Sequence, residues 1–131
     1  PLTRIATRNS INVSNFLTKE KLEEIKQATK VGGATLTSML GTSAWYAPGA
    51  AVSSIVQSIC CDQKKMFPCS VLLEGEYNLI DLSIGVPVIL GKNGVEEIIE
   101  LELDDLEKAS LIESSEGVKK TNKILNEMNL F

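Results

Sequence analysis

The sequence predicts an α+β fold: an antiparallel sheet with long, broken helices packed on it. Three observations predict it. Helical periodicity fills one block, from Thr18 to Cys60, and alternating apolar residues fill the next, from Met66 to Leu101. The two kinds of segment do not interleave as they would in a parallel sheet. Between the last two strand-like runs, Gly91-Lys92-Asn93-Gly94 reads as a tight hairpin, because Asn-Gly accepts positive φ values.

Taken in order, Leu2 to Thr7 reads as a short strand, Asn9-Ser10 as a turn, and Ile11-Asn12-Val13 as a second short strand. Thr18 is placed to cap a helix that begins at Lys19. Leu22, Ile25 and Ala28 form its apolar stripe, and Gly32-Gly33 is expected to bend or break it. A second piece runs from Ala34 to Leu40, and Gly41 stops it.

The stretch from Gly41 to Cys60 is a loop that becomes a helix. Pro48 has no N–H to donate and is tolerated only in a first turn, so the helix should start close to Ala47. Val52, Ile55, Val56 and Ile59 share one face, with Ser53, Ser54, Gln57 and Ser58 on the others. Ser43, Trp45 and Tyr46 then stand beside a helix N-terminus, where free N–H groups favour an anionic ligand. The plainer reading is an aromatic plug at the start of a core helix.

Met66 to Glu74 reads as a strand with Phe67, Cys69, Val71 and Leu73 on one face. Leu82 to Leu90 follows, with Ile84, Val86, Val88 and Leu90 together; Pro87 in its middle argues for an edge or a bulge. Val95 to Leu101 returns, with Val95, Glu97, Ile99 and Leu101 on one side. Asp104 caps a last helix whose stripe would be Leu106, Ala109, Ile112, Ile124, Leu125 and Met128, interrupted around Gly117.

The 131 residues suffice for a single domain, 1–131, with one core. A net charge of −4 without a basic patch argues against nucleic acid as a partner. No run approaches the roughly 18 apolar residues of a membrane span, and Pro1 to Ser10 has no apolar signal core. The absence of a starting Met suggests a processed or truncated product. Cys60, Cys61 and Cys69 make neither a disulfide framework nor zinc spacing; they read as small apolar residues in a reducing cytoplasm, with no metal site. There is no histidine, so a reaction needing that acid/base cannot be run by this chain alone. Gly91 to Gly94 lies in a hairpin, which argues against phosphate binding, and Glu74, Glu76 and Asp81 read as solvated turn acids.

Five stretches carry a resemblance. They are Pro1-Leu2-Thr3-Arg4, Gly41-Thr42-Ser43-Ala44-Trp45-Tyr46-Ala47-Pro48, Leu73-Glu74-Gly75-Glu76-Tyr77, Gly85-Val86-Pro87-Val88 and Gly91-Lys92-Asn93-Gly94-Val95-Glu96. With these in order, the chain resembles the C-terminal, substrate and oligomerisation domain of the lactate/malate dehydrogenase family, closest to the lactate-dehydrogenase-like malate dehydrogenases of bacteria. The family often has Gly and Pro where this chain has Ser10 and Asn12.

The resemblance implies an NAD-dependent oxidoreductase acting on malate and oxaloacetate, cytoplasmic and homo-oligomeric, with a separate Rossmann domain holding NAD. The family's catalytic histidine lies just upstream of the position matching Pro1, so this chain is expected to carry no catalytic and no cofactor-binding residue and to be inactive alone. Ser43 occupies the place that faces the variable end of the substrate. Lactate enzymes commonly carry Thr there; a smaller residue leaves room for a second carboxylate. Ser43 as a mere helix cap stays open, as do a lactate dehydrogenase domain and a non-enzymatic interaction domain of the same fold.

Overall fold

The computed structural model describes residues 1–128. They divide into two compact units, Pro1–Gly49 and the remainder from Ala50.

In the first unit, β1 (Thr7–Arg8) pairs antiparallel with β2 (Ile11–Asn12). Asn9 and Ser10 both take positive φ, 51° and 65°, the signature of a type I′ turn. The expected strand over Leu2 to Thr7 is corrected to its last residue, because the chain turns beforehand, with Ala6 N donating to Thr3 O at 3.3 Å. Helix α1 (Lys19–Leu40) begins where Thr18 accepts a bond from Lys21 N and ends at Gly41 in the left-handed region, φ 69°. The expected break at Gly32-Gly33 does not occur. Two glycines cost about 1 kcal/mol each against alanine, too little to break a 22-residue helix. No described residue of this unit is buried.

Helix α2 (Tyr46–Cys60) starts one residue before Ala47 and holds Pro48 in its first turn, as the sequence requires. Its face differs from the expected one. Ser58 is fully buried, whereas Val52 and Val56 are exposed. Ile55 packs against the core of the second unit.

That core lies on one face of a three-stranded antiparallel sheet, order β3–β4–β5, formed by Lys65–Glu74, Ile80–Gly91 and Gly94–Ile98. Leu73, Leu82, Ile84, Val86, Val88 and Leu90 are buried together, with Phe67, Cys69 and Val71 packed on them. The period-2 reading of both strands therefore holds.

Pro87 does not mark an edge: β4 is the central strand. Pro87 stands opposite Pro68 in register, and its carbonyl accepts from Ile99 N at 2.8 Å on the β5 side. In an antiparallel strand a residue's N and O point to the same neighbour, so Pro87 aims its missing donor at β5 and Pro68 aims its own at the open edge of β3. Neither removes a bond from the β3–β4 ladder. What Pro87 ends is β5, whose pairing stops at Ile98 opposite Val88.

At the hairpin only Gly94 takes positive φ, 89°, and the register slips between Ile89 and Leu90. One extra residue in β5 reverses the expected alternation, so Ile98 reaches the core rather than Glu97 and Ile99. Beyond it the chain wraps Tyr77. The Tyr77 hydroxyl donates to Ile99 O at 2.7 Å and accepts from Leu101 N at 2.9 Å, while Glu100 accepts from Tyr77 N at 2.7 Å.

Helix α3 (Asp105–Glu127) opens on a capping box between Asp104 and Glu107 and runs unbroken through Gly117. Its inward residues are Leu111, Ser115 and Val118. The expected stripe is corrected: Leu106 is 81% exposed, and Ile112, Ile124, Leu125 and Met128 are exposed too. No helix among the described residues is long and apolar enough to cross a membrane.

Candidate functional site

The residues singled out in the sequence lie on the link between α1 and α2. Gly41 turns the chain out of α1, since its φ of 69° is one that side chains rarely adopt. Thr42 to Trp45 then runs without regular structure into the first turn of α2, where Gly49 N donates to Trp45 O at 2.8 Å. That bond makes Trp45 the capping position. Ser43, which is exposed, stands two residues ahead of it. Trp45 and Tyr46 meet edge to face, ring centroids 6.3 Å apart. They do not plug a core here, being 64% and 86% exposed. The link therefore presents a hydroxyl, two aromatic rings and a helix N-terminus at the surface.

The other groups considered are structural. Glu76 accepts from Glu74 N at 2.8 Å, which holds its carboxyl below the usual range. Asp81 sits at the bulge of β4 with φ 54°. Gly91 to Gly94 closes a hairpin beside Asp62, which accepts from Lys92 N at 3.0 Å. A side chain at Gly91 would meet that carboxylate at 2.8 Å and also the Glu96 carboxylate, so both flexible side chains would have to swing aside to admit one. All three cysteines are free, and among the described residues no cluster could hold a metal ion.

The chain as a whole has counterparts among known proteins. Residues 2–128 match the family described as lactate/malate dehydrogenase, alpha/beta C-terminal domain. The chain belongs to the lactate/malate dehydrogenase family. It is 60% identical over 128 residues to a malate dehydrogenase of Bacteroides thetaiotaomicron, covering 98% of this chain and 41% of that protein. It is 56% identical over 125 residues to a malate dehydrogenase of Flavobacterium johnsoniae, covering 95% and 40%. The fold matches the structure of a Salinibacter ruber malate dehydrogenase with a TM-score of 0.94 at 44% identity, covering 98% of this chain and 42% of that one. It also matches a lactate dehydrogenase of Eimeria maxima, solved with NADH and oxamate, with a TM-score of 0.88 at 35% identity, covering 100% and 44%. The chain thus spans about two fifths of the length of the curated relatives it matches. As a member of the lactate/malate dehydrogenase family it matches the alpha/beta C-terminal domain.

Sequence reasoning missed one feature of this family member, the knot around Tyr77. A Gly-Glu-Tyr turn signals a reversal, but nothing local says that its hydroxyl will bind two backbone groups beyond the following hairpin.

Proposed function

We propose that this chain is the substrate-side domain of an NAD-dependent malate dehydrogenase of the tricarboxylic acid cycle, which interconverts malate and oxaloacetate in the whole protein. Its relatives at 60% and 56% identity carry that name, and this supports the reading most strongly. Ser43 forms the pocket wall at the variable end of the substrate, small enough to admit a second carboxylate. A lactate dehydrogenase domain is the second reading, favoured by the fold match to the Eimeria maxima enzyme.

The glycines of this chain do not fit an NAD site. They lie inside helices, in strand β4, at a helix cap and in tight turns, and none stands between a strand and an α-helix. The dinucleotide is accordingly assigned to a Rossmann domain outside these 131 residues, as is the catalytic histidine. When bound, NAD supplies the hydride chemistry; this chain's part is to shape the pocket.

The exposed apolar residues of α1, among them Val31, Met39 and Leu40, find no cover within their own unit. Such patches drive association. The cytoplasmic whole protein is therefore a homo-oligomer, and a clean monomer at tens of micromolar in sedimentation would refute that. For the substrate, the test is Ser43→Leu in the whole protein. The expected result is a raised KM for oxaloacetate with unchanged thermal stability. Unchanged KM with lowered Tm would assign Ser43 to the stability of the link and overturn its role as pocket wall.

A further inference from the structure

A cleft of about 250 Å³ opens in the second unit between the Tyr77 knot, the strand that leaves the sheet, and the first turns of α3. Drug-sized ligands occupy roughly 300–1,000 Å³, so this volume suits a small metabolite. Its lining is mainly apolar, with Leu79, Leu101 and Leu111, and it carries two charges, Glu100 and Lys108. Leu79 is buried and Leu101 and Leu111 are half-buried, so the floor belongs to the packed interior rather than to a loose surface.

The wall is rigid. Tyr77 and Asn78 both hold positive φ, 53° and 58°, a conformation that asparagine tolerates but tyrosine does not adopt cheaply. It is held by the Glu100 carboxylate on Tyr77 N and by the two bonds of the Tyr77 hydroxyl. One Glu100 oxygen is used in this way, which leaves the other as an acceptor. Lys108 brings the opposite charge to the same apolar chamber.

From this juxtaposition we infer that the cleft binds a free α-amino acid with an apolar, preferably aromatic, side chain. The side chain lies on the leucines and the Tyr77 ring, the ammonium faces Glu100 and the carboxylate faces Lys108. A simple organic anion would meet the Glu100 charge uncompensated, and a simple amine would meet Lys108. The zwitterion alone complements both. Ser43 is not among its lining residues, and the inference does not depend on the proposed reaction.

The test is titration of the 15N-labelled protein with L-phenylalanine, followed by amide chemical shifts. Saturable shifts confined to residues 77–79, 100–103 and 108–112 are expected. 3-Phenylpropionate and 2-phenylethylamine, each lacking one charge, should bind at least about tenfold more weakly, and Lys108→Gln should weaken phenylalanine by a similar factor. Ile112 lines the mouth and is 57% exposed, so Ile112→Trp should block the cleft without disturbing the fold. The inference is overturned if no saturation is reached by about 10 mM, if the shifts fall elsewhere, or if 3-phenylpropionate binds as well as phenylalanine. Should Ile112→Trp unfold the chain, the ligand series and Lys108→Gln decide by themselves.

Discussion

The Ser58 hydroxyl donates to the Leu90 carbonyl at 2.8 Å, and both residues are buried. The same oxygen lies 3.4 Å from Lys65 N and accepts from it. One side chain near the end of α2 thus satisfies the start of β3 and the end of β4. Replacing it by alanine leaves a buried carbonyl without its donor. Ser58→Ala should lower unfolding free energy by about 1–3 kcal/mol. Urea denaturation checks this, and an unchanged midpoint would show that water replaces the hydroxyl.

Gly32 and Gly33 lie inside a continuous helix, and a Cβ at either would meet nothing within 4 Å. Alanine should therefore stabilise α1 by about 0.5–1 kcal/mol at each position. Thermal melts of Gly32→Ala and Gly33→Ala in this chain should show a raised Tm. The same substitutions in the whole protein separate a bare face from a covered one, because a close neighbour would turn the gain into a loss.

Pro68 aims its missing donor at the open edge of β3, and the Glu76 carboxylate occupies Glu74 N on that same edge. Both devices blunt an edge that could otherwise pair with another chain. Pro68→Thr should leave the β3–β4 ladder intact and increase concentration-dependent association. Light scattering during a concentration series reads this directly, and equal scattering from the two proteins would discount the edge role of Pro68.

Glu20, Glu23, Glu76 and Glu116 all titrate below their ordinary value of 4.5. The largest cause differs at each: a backbone hydrogen bond at Glu20, the Gln27 side chain at Glu23, the Glu74 N–H at Glu76 and the Lys119 ammonium at Glu116. A carboxyl whose folded pKa is depressed adds stability that is fully present above its unfolded pKa. That stability is lost as pH falls through the folded value. Acid should therefore destabilise the chain below about pH 4.5, and not between about 5 and 8. Glu76→Gln keeps an oxygen for Glu74 N and removes the titration, so its Tm should fall less steeply with acid than that of the parent. Parallel Tm-against-pH curves would refute the assignment.

The candidate site was legible only in part. Pro48 fixed the first turn of α2 and Gly41 the end of α1, so the link carrying Ser43, Trp45 and Tyr46 could be bounded from residues alone. The role given to Ser43 came from family resemblance, because a single hydroxyl on an irregular link has no local signature. Glu100 and Lys108 drew no notice as a pair, since they meet on one cleft only after the chain has wrapped Tyr77.

By itself the sequence determined the features that depend on neighbours along the chain. These are the caps at Thr18 and Asp104, the left-handed stop at Gly41, and the alternating faces of β3 and β4. Each follows from backbone sterics or from a period short enough to read in one segment. Tertiary structure decided which of several available faces is covered. Leu106 and Ile112 are as apolar as Leu111 and Val118, yet only the latter pair packs on the sheet. It also decided that β4 is central despite Pro87, because a proline's cost depends on which neighbour its absent N–H would have served. Hydrophobic burial has no direction of its own, so a helix turns toward whichever surface lets the whole core close.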